Sequence, residues 1–261
     1  MNQLSLEEIR TMAPQAFAAT AKPGVSAKYS FLPTSRIIED MDKLGWKVSA
    51  AKAGKYRNSD NQAYGNHFVG FFHPEIFIKD AEGNIEAYPQ VVVFNSHTGR
   101  GSFRFEMGIF RLVCSNGMVI KSSDMGSFQL KHTGYSFEEL QYLINAAVER
   151  MPEIAGKINT FGQRLMSPEE QRAFAKSAFA LRSERLLTPN ELEDFLAPRR
   201  KEDEGNSLWL VLNRIQESVI KGGSLAEPKV KKGKKAFKGI KNIHRDFKIN
   251  QELWEMAESY I

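Results

Sequence analysis

Apolar and polar side chains alternate along residues 102–114, SFRFEMGIFRLVC, with the period of two that a half-buried strand has. The alternation changes phase after Gly108, and a glycine at a phase change is typical of a β-bulge. Asn116-Gly117 then favours a tight hairpin turn, and residues 118–120 begin the return strand. The pattern therefore predicts a hairpin with a bulge at Gly108 and with Cys114 buried on its apolar face.

Four shorter runs upstream also have the composition of strands, and turn-forming Gly, Asn and Asp residues separate them. These runs are residues 46–51, 67–73, 76–79 and 90–95. A helix is predicted ahead of them over residues 36–44, where apolar positions recur on one face and Gly45 marks the end. A shorter helix is predicted over residues 4–12.

Downstream of Tyr135 the period changes to that of amphipathic helices that begin at capping residues. Helices are predicted after Ser136, after Ser167 to about residue 185, after Thr188, over residues 208–221 and, with Asn250 as cap, over residues 251–260. Strands precede helices without βαβ alternation, so we predict an α+β fold. Its largely antiparallel sheet occupies the N-terminal half, at about residues 28–133, and a helical C-terminal half follows.

The chain of 261 residues is long enough to bury a sizeable core. We predict a single α+β domain over residues 1–261. It consists of an N-terminal arm (1–27), a sheet-rich part (28–135) and a helical part (136–261). The helical part contains a basic segment, residues 228–248.

The basic segment dominates the charge distribution of the chain. It carries eight lysines and Arg245 against Asp246 alone, a net charge of +8, so the other residues sum to −3 within the total of +5. A slightly acidic body with one strongly basic segment favours an anionic partner, most often nucleic acid. The alternative is a solvated lysine-rich loop that serves only solubility.

The remaining composition narrows the class of protein. A hydrophobic fraction of 42% and a charged fraction of 26% are ordinary for a globular protein. No apolar run approaches the roughly 20 residues that cross a bilayer, and the acidic N-terminal region differs from a signal peptide. We therefore predict a cytoplasmic protein without membrane contact. Cys114, the one cysteine, excludes an intramolecular disulfide and a multi-cysteine zinc cluster.

Arginines inside the predicted sheet are the second candidate for contacts with an anion. Arg100 lies between two glycines, where the backbone can approach a phosphate closely, and Arg104 and Arg111 follow on the next strand. Nearby aromatic residues would give the mixture of cations and rings found in single-stranded nucleic-acid sites. These are Tyr88, Phe94, Phe103 and Phe105. The alternative is that the rings belong to the core and that Arg104 forms an ion pair with Glu106.

Signals of catalysis are weak. Phosphate-binding glycine loops, HExxH and GxSxG are absent from the sequence, and no cofactor is predicted. His67, His97 and His132 lie at strands or strand ends and could together hold a metal, but their spacing matches no ligand motif. A Cys114 nucleophile paired with His97 is a further alternative to an inert core thiol. Whether the protein is an enzyme stays open, with a non-enzymatic protein favoured.

Five blocks of the sequence resemble the phage- and plasmid-encoded proteins grouped as domain of unknown function 932. The blocks, which span about residues 29–260, are YSFLPTSRIIEDMDKLGWKV, GNHFVGF, NSHTGRGSFRFEMGIFRLVCSNGMVI, DEGNSLWLVLNRIQESVIKGG and NQELWEMAESY. The resemblance implies a cytoplasmic protein of a mobile genetic element and no settled activity. Members often have a basic segment with arginines before the last helix. Here lysines predominate, which keeps the charge but loses bidentate phosphate contacts.

Together these features predict a non-enzymatic nucleic-acid-binding protein, with DNA the expected ligand, in the recombination, replication or protection of phage or plasmid DNA. The predicted contacts are Arg100, Arg104, Arg111, Lys229, Lys231, Lys232, Lys234, Lys235, Lys238, Lys241 and Arg245. A metal-dependent nuclease or hydrolase using the three histidines, and a module that binds a host factor, are the alternatives. The sequence leaves DNA against RNA, strandedness and homo-oligomerisation open.

Overall fold

The computed structural model describes residues 2–54, 62–79, 83–99, 103–111, 117–119, 135–222 and 237–261. Within β-strands, the side chains of 107, 110, 111 and 117–119 lie outside the description. The chain divides into two compact units, residues 1–152 and 153–261. That the two form a single domain stays a prediction.

The strands of the first unit form one antiparallel sheet. They are β1 (Lys47–Ala53), β2 (His67–Phe72), β3 (Ile78–Lys79), β4 (Ile85–Asn95), β5 (Arg104–Arg111) and β6 (Gly117–Val119). In the described residues they are ordered β1-β2-β4-β5-β6, with β3 also paired to β4. The structure thus confirms the α+β class and the antiparallel sheet in the N-terminal half. It lengthens the predicted strand at 90–95 to eleven residues.

The bulge predicted at Gly108 is wrong. Pairing between β4 and β5 runs without a shift, and Gly108 lies opposite Gln90. Ile109, 1% exposed, stays on the buried face that Phe105 begins, so the alternation continues through the glycine. The sheet places register shifts elsewhere, between Val48 and Ala50 and between Ile78 and Lys79.

The pairing of β5 with β6 confirms the hairpin but not its predicted turn. Gly117 pairs with Phe110, so this glycine already belongs to the return strand. The turn predicted at Asn116-Gly117 is therefore wrong at Gly117. Asn116 and Cys114 lie outside the described residues.

Two helices accompany the sheet, and their apolar faces explain their positions. They are α1 (Leu6–Met12) and α2 (Thr34–Lys43), with a 3-10 turn at Pro14–Phe17. Ile37, Ile38 and Met41 of α2 are buried, and each burial is worth about 1.5–3 kcal/mol. Gly45 follows α2 with a φ of +84°, and a Cβ there would lie 2.6 Å from His73 Nε2. The predicted glycine stop is confirmed.

The remaining helices are α3 (Phe137–Gln163), which begins in the first unit and ends in the second, α4 (Pro168–Ala180), α5 (Pro189–Leu196), α6 (Leu208–Lys221) and α7 (Ile243–Glu258). A 3-10 turn at Lys201–Asp203 precedes α6. Helix α6 matches its predicted bounds, and Ser167 and Thr188 cap α4 and α5 as predicted. Within the residues described, no helix is long and apolar enough to span a membrane.

Helix α6 is the centre of the second unit. Eleven of its residues are buried, and it packs against α4, α5 and α7. Leu208, Val211 and Ile215 form an apolar stripe along one face of the helix, and burial also extends to polar residues on its other faces, such as Asn213 and Glu217. Trp254 of α7 is fully buried and lies 5.0 Å from the ring of Phe161.

The last helix begins earlier than predicted. Asn242 caps α7 by accepting a hydrogen bond from the amide of Arg245, so Asn250 lies inside the helix. Asn250 is 1% exposed and accepts a 2.8 Å hydrogen bond from Gln216 Nε2 of α6. Asn250, predicted to cap the last helix, therefore forms a buried hydrogen bond between α6 and α7.

Candidate functional site

The described end of the basic segment is anchored on α6. Gly222, which follows α6, forms an antiparallel bridge with Lys238, and the amide of Ile240 donates to the carbonyl of Ile220 at 2.8 Å. Gly222 has a φ of +68°, and a Cβ there would lie 2.2 Å from the carbonyl oxygen of Phe237. Only glycine permits so close an approach. Gly222 and residues 237–240, the described residues on either side of 223–236, therefore lie side by side.

Between these anchors lie residues 223–236, which are outside the described part of the chain. They contain Lys229, Lys231, Lys232, Lys234 and Lys235, against one carboxylate, Glu227. Of the predicted contacts in the basic segment, Lys238, Lys241 and Arg245 are described, and all three are exposed. Residues 223–236 thus add a net charge of +4 next in sequence to three exposed cations, Lys238, Lys241 and Arg245.

Arg182 lies at the centre of this anchor. Its guanidinium is 4.1 Å from the ring centroid of Phe237 and donates to the carbonyls of Val219 and Lys238. Arg245 donates in turn to the carbonyl of Arg182 at 3.5 Å. Burial lowers the pKa of Arg182, and the like charge of Arg245 lowers it further.

Arg199 adds a further cation. Its guanidinium donates to Ser218 Oγ and to the carbonyl of Gly222, both at 3.3 Å. We call the cations of this anchor the basic surface: Arg182, Arg199, Lys238 and Arg245, which these contacts link, and Lys241, which follows Lys238 in the sequence. Among the described residues, none of its five members forms an ion pair with a carboxylate.

The aromatic neighbours of the basic surface are part of the core of the unit. Phe179 is 2% exposed, and Phe237 stacks on it at 5.2 Å with an interplanar angle of 26°. Phe195, fully buried, contacts Phe237 edge-on. Phe237 packs against the guanidinium of Arg182, and the three rings pack on one another, so they do not form a platform on which bases could stack. The basic surface therefore interacts with an anion through its positive charge and its hydrogen-bond donors.

The sheet arginines lie in the other unit. Arg104 is opposite Phe94 in the β4–β5 pairing, with its guanidinium 5.3 Å from that ring and 4.0 Å from Glu106. Its side chain is 33% exposed. Arg111 is opposite Ala87, with its side chain outside the description, and Arg100 lies outside the described residues.

The rings that were expected to stack on bases beside Arg104 are mostly core. Phe94, Phe103 and Phe105 are 4%, 0% and 3% exposed, so their faces are unavailable to bases. Tyr88 is half-buried and contacts Phe72 and Phe77. The expectation of an aromatic platform on this sheet is wrong for the three phenylalanines. Phe103 and Phe105 lie on the strand face opposite that of Arg104, and Phe94, which shares the face of Arg104, is itself buried.

Two of the three histidines considered as metal ligands do meet. The ring centroids of His67 and His97 are 5.2 Å apart, both rings are buried, and His97 also contacts Phe31 at 4.9 Å. His132 lies outside the described residues. The part of the chain that the structure describes contains no group of three or more His, Cys, Asp or Glu residues able to hold a metal.

His67 is held neutral by its surroundings. Its Nδ1 lies 2.9 Å from the carbonyl oxygen of Gly65, which can only accept, so Nδ1 carries the proton. Nε2 then accepts from Thr34 Oγ1 at 2.8 Å. Burial lowers the pKa of His67 from 6.5 to about 4. Both ring nitrogens are engaged in hydrogen bonds, which favours a structural role.

The main chain of His97 is anchored outside its own loop. Its amide donates to the carbonyl of Tyr64 at 2.8 Å, and its carbonyl accepts from the amide of Lys22 at 2.9 Å. These two contacts tie the loop after β4 to residues 22 and 64.

We expect His67 to make stability depend on pH. The folded-state pKa lies below the unfolded value of 6.5, so the unfolded chain binds the proton first as pH falls. Stability should therefore decrease from pH 6.5 towards pH 4, by about 2 kcal/mol at pH 5 relative to pH 7. Urea denaturation of the wild type and of His67→Gln measures this. A slope retained in His67→Gln would contradict the assignment.

Sequence reasoning missed Arg182 and Arg199. Arg182 lies outside any charge run, and Arg199 opens the run RRKEDE (199–204), whose charges of both signs cancel. Both arginines reach the anchor only through tertiary contacts with residues 218–222 and 238. Arg182 lies just after α4, which ends at Ala180, and its neighbours in the sequence gave no signal of a site. The basic segment itself was recognisable from its lysine count.

Comparison with known proteins places the chain in a family. Two relatives from Escherichia coli (strain K12), "UPF0380 protein YafZ" and "UPF0380 protein YfjQ", are each 29% identical to it over 263 residues. Each alignment covers 99% of this chain and 92% of the relative. No solved structure matches the chain. The family profile for a domain of unknown function, DUF932, matches residues 24–254, and the chain therefore belongs to the DUF932 family.

Proposed function

We propose that this protein is a cytoplasmic, non-enzymatic nucleic-acid-binding protein whose ligand is DNA and which acts in the recombination, replication or protection of phage or plasmid DNA. One observation carries the proposal. Four linked cations, with Lys241 next to them in the sequence, lack an ion pair among the described residues and lie where a segment with five more lysines begins and ends.

Unpaired cations that lie together repel one another, and an anionic partner relieves that repulsion. Arg182 illustrates the point, since the like charge of Arg245 acts with burial to lower the pKa of Arg182. A phosphate backbone supplies regularly spaced anions and releases counterions on binding. The residues outside the basic segment have a net charge of −3. This negative charge disfavours the alternative in which the whole protein surface attracts DNA.

The chemistry of the basic surface favours contacts with phosphates over contacts with bases. Its rings are packed against one another, and most of its charges are lysines or exposed arginines. Such contacts position a backbone without reading its sequence. We therefore expect binding that is independent of sequence.

Fluorescence anisotropy with labelled DNA tests the proposal. A duplex, its single strand and an RNA of the same sequence should be titrated at about 50 mM and at about 200 mM salt. We expect DNA binding that weakens steeply with salt, with a Kd of about 1–100 µM near physiological salt. Absence of binding at the lower salt contradicts the proposal, and clearly tighter RNA binding contradicts DNA as the ligand.

Arg104 has a secondary role in this proposal. Its guanidinium already contacts Phe94 and Glu106, so Arg104→Ala should lower DNA affinity less than about tenfold. The double variant with Arg100→Ala tests whether the glycine-flanked loop contributes. A loss of tenfold or more in the single variant, with an unchanged melting temperature, would instead make Arg104 a main contact.

A further inference from the structure

An open cleft of about 700 Å³ lies in the second unit, between the start of α4, the end of α5 and the turn before α6. Of the described residues that line it, Arg214 alone is buried, at 6% exposure. Arg214 therefore forms its base, and Pro168, Leu196 and Pro198 are among the apolar residues of its wall. The volume is in the range of small-molecule sites.

The guanidinium of Arg214 has no carboxylate partner among the described residues. Its Nη1 donates to the main-chain oxygen of Asp203 at 3.1 Å and its Nη2 to Gln171 Oε1 at 3.4 Å, and both acceptors are neutral. Its Nε is buried without any hydrogen bond. The carboxylate of Asp203 forms an ion pair with Arg200 and affects Arg214 only through its field.

A buried cation without a paired anion is costly, and the cost is removed when a ligand brings the anion. A guanidinium has five N–H donors, of which two are used here. Three donors therefore remain, and a planar carboxylate can accept from two N–H groups of a guanidinium at once. Arg172 also lines the cleft, but it forms an ion pair with Glu169.

Glu193 and Glu204, both exposed, line the same cleft and form no ion pair with any described residue. They would repel a polyanion such as nucleic acid and attract an ammonium group. We propose that this cleft binds a small zwitterionic carboxylate, of the size of an amino acid or short peptide, with its carboxylate on Arg214 and its ammonium group towards Glu193 and Glu204. This site is independent of DNA binding.

Isothermal titration calorimetry with the dipeptide L-alanyl-L-leucine tests the inference on the full chain. We expect a Kd of about 1 mM or tighter. The dipeptide amide lacks the carboxylate and the N-acetyl dipeptide lacks the ammonium group, so each should bind at least about tenfold more weakly. Inorganic phosphate should also bind more weakly than the dipeptide.

Two variants locate the site. Arg214→Met should abolish binding and leave the melting temperature unchanged or higher, because an apolar side chain replaces an unpaired buried charge. Ala197→Trp, at an exposed lining position, should fill the cleft and weaken binding about tenfold without unfolding the chain. Absence of dipeptide binding, equal binding of either capped form, tighter binding of phosphate, or full affinity in Ala197→Trp overturns the inference.

Discussion

Replacing four lysines of the basic segment with glutamine should lower DNA affinity at about 50 mM salt by about 100-fold or more. The positions are Lys231, Lys232, Lys234 and Lys235. For every phosphate that the variant no longer neutralises, the dependence of log K on log salt should flatten by about 0.9, so the slope should fall by up to about 4 if all four lysines bind phosphates. Anisotropy titrations across a salt series measure both quantities.

A second quadruple variant separates a local footprint from net charge. It replaces four exposed lysines elsewhere with glutamine: Lys28, Lys79, Lys176 and Lys201. Both variants change the charge of the chain by the same amount, so a general attraction between protein and DNA would weaken equally in both. We expect the control to retain affinity within a few-fold. Equal reductions in the two variants would remove the basic segment as the DNA contact.

The second large effect concerns the ion pair that fixes the turn before α6. Arg200 contacts both carboxylate oxygens of Glu217 at 2.8 Å and Asp203 at 3.0 Å. The side chains of Glu217 and Asp203 are 5% and 2% exposed. Burial acts to raise the pKa of Glu217, but the hydrogen bonds from Arg200 and Lys221 outweigh it, and the pKa is lowered.

Arg200→Met should therefore destabilise the protein by about 3–5 kcal/mol, because it deprives two buried carboxylates of their guanidinium. Arg185→Met is a matched control. Arg185 contacts Glu191 with similar two-point geometry, at 2.8 and 3.0 Å, but its side chain is 47% exposed. Its removal should cost less than about 1 kcal/mol. Urea denaturation compares the two, and similar destabilisation in both would contradict the importance of burial here.

The sequence was sufficient to predict elements whose local signals agree with their packing. Helix α6 matched its predicted bounds, because Ser207 precedes an apolar helical run and Gly222 ends it. The capping boxes of Ser167 and Thr188 likewise placed the starts of α4 and α5. The strands upstream of β5 were found because short runs with the composition of strands are separated by turn-forming Gly, Asn and Asp residues.

The errors share a cause, which is that tertiary contacts override a local signal. Asn250 has a side chain that can cap a helix, but in the structure that side chain accepts a hydrogen bond from Gln216 on a neighbouring helix. Gly108 suggested a bulge, but Ile109 keeps the buried face, and the pairing with β4 stays regular. Neither contact can be inferred from residues near in sequence.

The candidate site was predictable to a similar extent. A run of lysines is visible in any sequence, so the basic segment was recognised. Its anchor was not, because Arg182 and Arg199 approach Gly222 and Lys238 only when α4, α6 and the chain after residue 236 are packed together. Arg214 and its cleft gave no sequence signal either, since the cleft joins three separated segments.

Lysine acetylation followed by mass spectrometry, with and without a saturating DNA duplex, tests the central claim most directly. We predict that DNA protects Lys231, Lys232, Lys234, Lys235, Lys238 and Lys241. Exposed lysines away from the basic surface, such as Lys28 and Lys79, should react equally in both samples. Protection confined to those other lysines, or no protection of residues 231–241 under conditions of full binding, would contradict DNA binding at the basic segment.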